Sequence, residues 1–183
     1  QKLSVKKLDY NTHPFTTSTY QPHDRINIDT LDLNQPDKDG NIAIIVIIDT
    51  FTRWIELYPI KDHTDEVAAS KILEHFGRNG APKEILTDRG KQFVNKLVQK
   101  VCDTYGVLFR KTPIAHSHQQ NAKVENANRQ VLRSLRAFIL DERAMDNWTR
   151  ALPAVQFIFN TTHKAETGYS LSDLLFFGQA GNP

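Results

Sequence analysis

The sequence predicts an α/β domain built on a mixed five-stranded sheet flanked by helices. Three observations point there. Between Arg25 and Ile60 apolar residues alternate with polar ones or run continuously, as strands do, and after Thr64 the spacing changes to that of helices. From that point helical stripes alternate with short strand-like segments, the pattern of parallel crossovers. The run "IAIIVII" at Ile42–Ile48 is apolar throughout, which marks a strand covered on both faces and therefore central in a sheet.

Each element has its own local reason. Residues 1–20 show no sustained period and carry Lys2, Lys6, Lys7 and Pro14, so they read as an extended lead-in. In "RINIDTLDL", Ile26, Ile28, Leu31 and Leu33 roughly alternate with polar residues and give the first strand. "PDKDGN" supplies turn residues, with Asp39-Gly40 a hairpin signal. "NIAIIVIID" is the second strand, and Trp54 to Ile60, after the turn at "TFTR", the third. Short connections make these three an antiparallel meander.

Thr64 is an N-cap candidate with Asp65 and Glu66 in the first turn. Ala68, Ala69, Ile72, Leu73 and Phe76 form the apolar stripe of the helix that follows, and "GRNGAP" ends it. "KEILT" is a short strand closed by the turn "DRG". A helix then places Phe93, Leu97, Val98, Val101, Cys102 and Tyr105 inward, and Gly106 closes it before the strand "VLFRKT". "PIAHSHQQNA" reads as a polar loop. A long helix is expected over 124–142, a shorter one around Trp148–Asn160, and a final turn or helix near Ser170–Phe176. The domain is thus set at 21–178, with 179–183 a tail.

Bulk properties exclude several classes. A chain of 183 residues suits one core, and 39% hydrophobic with 24% charged residues is an ordinary globular composition. The longest apolar run is too short to cross a bilayer, so no membrane partner is expected. No signal-peptide pattern opens the chain. The single Cys102 excludes an internal disulfide and a Cys-rich zinc site, and fits a reducing compartment. A net charge of +2 is too mild to define a partner.

Chemistry is sought among acids that secondary structure places. Asp29 sits in or at the end of the first strand. Asp88 ends the fourth, and ligands of open α/β sheets gather outside the carboxyl ends of parallel strands. Glu125 falls in the first turn of the helix after the fifth strand, where its carboxylate could turn back to the same edge. Three such carboxylates make an all-oxygen pocket suited to Mg²⁺, and two metals roughly 3.5–4 Å apart can serve an in-line phosphoryl displacement. Asp24, Asp32 and Asp49 are rivals, and a turn or capping role is the competing reading for any strand-end aspartate. For Glu125 alone the competing reading is a solvated pair with Arg129, four residues on.

"DTFTRWIELYPI", "LTDRGKQF", "ENANRQVL" and "TGYSLSDLLFFG" occur in the order and spacing of the catalytic core of retroviral-type integrases, and the chain resembles most the gypsy-type branch of LTR retrotransposons. The resemblance covers nearly the whole chain and implies an RNase H-like fold. It implies that Asp29, Asp88 and Glu125 are the DDE triad holding two Mg²⁺ or Mn²⁺ ions, and that Asp49 is the family's strand-ending aspartate, not a ligand. Between Asp88 and Glu125 lie 36 residues, a slightly longer spacing than usual, which a loop absorbs. The opening "QK" implies a core preceded by an N-terminal zinc module that this chain lacks, together with the C-terminal DNA-binding domain. The activity implied is 3′-end processing of element DNA and strand transfer into target DNA.

The partners implied are double-stranded DNA and further copies of the chain, and the implied place is the host-cell nucleus or a cytoplasmic particle. Alternatives are a non-catalytic core kept for dimerisation or protein binding, or an RNase H-type nuclease. Asn121, Ala122 and Lys123 replace the usual acid, Gly and Gln, and Asn126 stands where Arg is common. On a helical wheel Glu125, Arg129 and Arg136 fall within about 40° of one another, with Arg133 about 80° from Glu125. Asn128, Arg129 and Arg133, with Gln119, Asn121 and Lys123 on the preceding loop, are therefore the expected DNA contacts, through the backbone and without sequence reading. His116 and His118 lack further nearby ligands and read as loop residues. Trp148, Phe157, Phe159, Phe176 and Phe177 belong to the core or to a subunit interface.

Overall fold

The computed structural model describes residues 21–33, 35–87, 93–111, 147–162 and 170–172, together with positions 133 and 137. Among the described residues the elements with defined bounds are, in order, β1 (Arg25–Asp32), β2 (Ala43–Asp49), β3 (Ile55–Ile60), α1 (Asp65–Asn79), β4 (Glu84–Thr87), α2 (Lys96–Tyr105), β5 (Leu108–Lys111) and α3 (Trp148–Thr161). The sheet order is β3-β2-β1-β4-β5. β1, β2 and β3 pair antiparallel, while β4 joins β1 and β5 joins β4 in parallel. Both the meander and the parallel crossovers expected from the sequence are borne out.

The seven residues of β2 are all buried, because α1 and α2 cover one face of the sheet and α3 the other. On the first face Ile26, Ile28, Ile45, Ile47 and Ile85 meet Ala68, Ala69, Ile72 and Phe76 of α1 and Val98 and Cys102 of α2. On the second, Leu31, Ile44, Val46, Ile48, Ile55 and Leu57 meet Trp148, Leu152 and Val155 of α3. The outer backbone of edge strand β3 is closed by the same helix. Asn160 accepts from Ile55 N at 3.0 Å and donates to Ile55 O at 2.8 Å, and Gln156 accepts from Leu57 N at 2.9 Å. Side-chain amides thus occupy groups that an open edge would offer to another strand.

Helix ends follow local chemistry. Thr64 caps α1 and accepts from Val67 N, with Asp65 and Glu66 in the first turn. Asn95 caps α2, whose end is turned by Gly106 at φ +70°. That cap corrects the sequence reading, since Phe93 is buried in the turn before α2 and not on the helix. Leu73, Leu97 and Tyr105 were also assigned inward positions, yet all three are exposed. Each lies at the margin of its stripe, where the neighbouring helix no longer covers it. Tyr105 instead meets Phe76 edge-on, with ring centroids 5.4 Å apart. The expected loop at 113–122 and most of the helix expected over 124–142 lie outside the described residues.

Candidate active site

Asp29 occupies the middle of the sheet, on β1, opposite Val46 of β2. Ile26 and Ile28 point into the α1/α2 core and Leu31 and Leu33 into the α3 core, so alternation sets Asp29 on the α3 face. It is half-buried, and its Oδ1 accepts from Thr30 N at 2.7 Å. The parallel pairing of β1 with β4 advances from Arg25–Glu84 to Ile28–Thr87 and stops one residue short of Asp29.

Two halves divide that face. α3 lies over β2 and β3, where every inward group is apolar. Across β1, β4 and β5 that face carries an ion-pair cluster: buried Glu84 lies 2.6 Å from Arg25 Nε and 2.8 Å from Arg110 Nε, one on each carboxylate oxygen. Both oxygens are thereby engaged by fixed guanidinium groups, which leaves Glu84 a structural acid.

The rival aspartates have structural work. Asp24 pairs with Lys83 at 2.8 Å and accepts from Gln21 N. Asp32 is exposed and lies 3.1 Å from His63 Nε2. Asp49 is buried and organises the turn after β2, accepting from His23 N, Phe51 N, Thr52 N and Thr52 Oγ1. Cys102 is fully buried, and burial pushes its thiol up to about 11, so it is no nucleophile. Asp88, Glu125, Gln119, Asn121, Lys123, Asn128 and Arg129 lie outside the described residues, as do His116, His118, Phe176 and Phe177. Arg133 is helical and exposed. Among the described residues no three His, Cys, Asp or Glu side chains form a group that could hold a metal ion. Trp148 packs in the core and Phe159 packs partly against it, whereas Phe157 is 67% exposed.

A buried polar cluster on the other face escaped the sequence reading. Glu56 and Tyr58 share one side of β3, and α1 sets His75 and Asn79 against them. Tyr58 OH donates to Glu56 Oε2, His75 Nδ1 lies 3.0 Å from the same oxygen, and Asn79 donates to Oε1 at 2.8 Å. The only local signal is Glu56 inside the otherwise apolar "IELYPI", two residues from Tyr58. Burial works against the charge on Glu56, but hydrogen bonds from His75 and Tyr58 prevail and hold its carboxyl down to about 2. A depressed carboxylate stabilises the fold above its unfolded pKa, and that stability is lost as pH falls through its folded value. The fall from 4.5 to about 2 is worth about 3 kcal/mol. Urea unfolding across this pH window is expected to show the advantage of wild type over Glu56→Gln shrinking by about that amount. A constant difference between the two proteins would show that the Glu56 charge contributes nothing.

Residues 19–117, more than half of the chain, match the model of the integrase core domain. The chain belongs to the integrase core domain family. It is 33% identical over 129 residues to the Gag-Pol polyprotein of feline leukemia virus, a match covering 70% of this chain and 7% of that polyprotein. To the Pol polyprotein of feline endogenous virus ECE1 it is 35% identical over 119 residues, covering 64% of this chain and 11% of the relative. This integrase core thus corresponds to a small part of the polyproteins it matches. Its fold is similar to that of the HTLV-2 integrase catalytic core domain in complex with magnesium (trimeric form), with a TM-score of 0.63 at 19% identity, covering 84% of this chain and 96% of the other. At that identity the likeness is one of fold, and the fold is the RNase H-like one expected from the sequence.

Proposed function

We propose that this integrase core catalyses metal-dependent phosphoryl transfer on double-stranded DNA, trimming the 3′ ends of element DNA and joining them to target DNA. The observation carrying this reading is the pairing of Ile28 with Thr87, one residue before Asp29 and one before Asp88. The parallel pairing thus ends beside Asp29 at the carboxyl end of β1 and β4, and Asp88 is the next residue in sequence after β4, which supports reading the two as one set. Glu125, from the element after β5, completes the set.

The donor chemistry fits Mg²⁺ or Mn²⁺, because Asp29 offers hard carboxylate oxygens on the middle strand of the sheet. Two divalent cations, when bound, supply positive charge to the transferring phosphoryl group and acidify the attacking water or 3′-hydroxyl. Asp29, Asp88 and Glu125 would hold these cations. The sheet keeps the first of these acids in place without rearrangement, which is what orientation in phosphoryl transfer requires. Gln119, Asn121, Lys123, Asn128, Arg129 and Arg133 hold the DNA backbone beside the metals. Copies of the chain assemble on the DNA, in the nucleus of the host cell.

Calorimetric titration with Mn²⁺ tests the metal set. Wild type is expected to bind, and Glu125→Gln, with an unchanged circular dichroism spectrum, to bind at least about tenfold more weakly, the loss of one charged ligand costing upwards of about 1.4 kcal/mol. Equal titrations for the two proteins would remove Glu125 from the set.

A further inference from the structure

A strongly basic concavity on the described surface lies outside the carboxylate set. A groove of about 380 Å³ runs between α2 and β5, with Lys96, Lys100 and Lys111 on its walls. Phe109 forms part of the floor and packs partly into the core, which fixes the base of the groove. Lys96 and Lys100 are one helical turn apart and project from the same side of α2. Lys111 ends β5, in register with Thr87, so the groove reaches the carboxyl end of the parallel strands.

Charge makes the groove unusual. Two lysines elsewhere are tied to acids, Lys71 to Glu74 and Lys83 to Asp24. None of the three groove lysines has an ion-pair partner among the described residues. The single acid of the lining, Asp103, is engaged by Gln99 Nε2 at 2.9 Å. Three exposed ammonium groups converging on one furrow repel each other, and a run of phosphates relieves that repulsion.

We propose that this groove binds the phosphate backbone of a DNA duplex, carrying the strand past the carboxylate edge. Two features favour a polyanionic backbone over a small anion. The furrow is open along its length, and its ammonium groups are spread over a helix and a strand end and do not meet at one point. Lysine acts here as a flexible point charge, so contact is with phosphates and not base edges. The inference rests on the proposed action on DNA and adds where a length of duplex lies.

Fluorescence anisotropy with a labelled duplex, read at several salt concentrations, tests it. A protein neutralising Z phosphates shows a slope of log affinity against log salt of about −0.9Z, so the Lys96→Gln, Lys100→Gln, Lys111→Gln triple variant is expected to lose about two to three units of slope. The corresponding triple arginine variant keeps the slope. A control with Lys38, Lys61 and Lys71 changed to Gln, which lowers total charge equally, keeps it as well. A glutamine variant that binds DNA with the wild-type slope overturns the groove while leaving the proposed function standing. An equal loss in the control also overturns it, because overall charge then explains the effect. Wild type that fails to bind duplex at low salt overturns both readings, and circular dichroism confirms that each variant is folded.

Discussion

Asp29→Asn is expected to lower Mg²⁺-dependent cleavage and joining of duplex DNA by at least about 10²-fold, with a melting temperature close to wild type. The substitution keeps the shape of the side chain and its acceptor oxygen, so the bond from Thr30 N survives. Only the negative charge is lost, and that charge is what a divalent cation needs from an oxygen ligand. Asp49→Asn is the informative contrast, since its carboxylate is buried under donors from His23, Phe51 and Thr52. There the cost falls on stability, about 1–3 kcal/mol, because charge-assisted hydrogen bonds in a buried turn are weakened. A duplex cleavage assay beside a thermal melt separates the two residues. Full activity in Asp29→Asn would exclude it from the metal set, and joint loss of activity and fold would make it a structural acid like Asp49.

Trp148→Ala is expected to destabilise the domain by about 3–5 kcal/mol. Trp148 is among the largest fully buried side chains and begins α3, the helix that covers the second face and closes the β3 edge. Truncation leaves a cavity between α3 and β2/β3 that the rigid sheet cannot fill. Trp148→Phe is expected to cost less than about 1.5 kcal/mol, because Nε1 of Trp148 is buried without a hydrogen-bond partner and its removal forfeits none. Chemical denaturation measures both. Similar costs for the two variants would mean that the indole N–H, and not ring volume, holds the helix.

The fold was largely legible because its signals are local. Thr64 and Gly106 end helices through their own backbone and side-chain chemistry, and the continuous apolar run of β2 can only sit inside a sheet. The misassigned residues Leu73, Leu97 and Tyr105 show the limit of periodicity. A stripe gives the direction of the core, but its width depends on how far the partner element reaches. Phe93 is buried through a turn, which has no period to read.

The carboxylates divide along the same line. Asp24, Asp29, Asp32 and Asp49 fall within two strands and their flanking turns and are nearly equivalent by sequence pattern alone. Asp24 is distinguished by Lys83, 59 residues away, and Asp49 partly by His23, 26 residues away. Glu56 acquires His75 and Asn79 only when α1 packs against β3, and the lysines of the groove meet only when β5 returns beside α2.

By itself, then, the sequence determined the order of the described elements, the interior place of β2, the caps at Thr64 and Gly106 and the resemblance that named the family. Tertiary structure decided which face Asp29 occupies, which acids are tied into turns and ion pairs, and which lysines are left to converge. The physical reason is that propensity, capping and burial period act over a few neighbouring residues. Electrostatic partners and strand register are set by chain segments that come together only when the sheet closes.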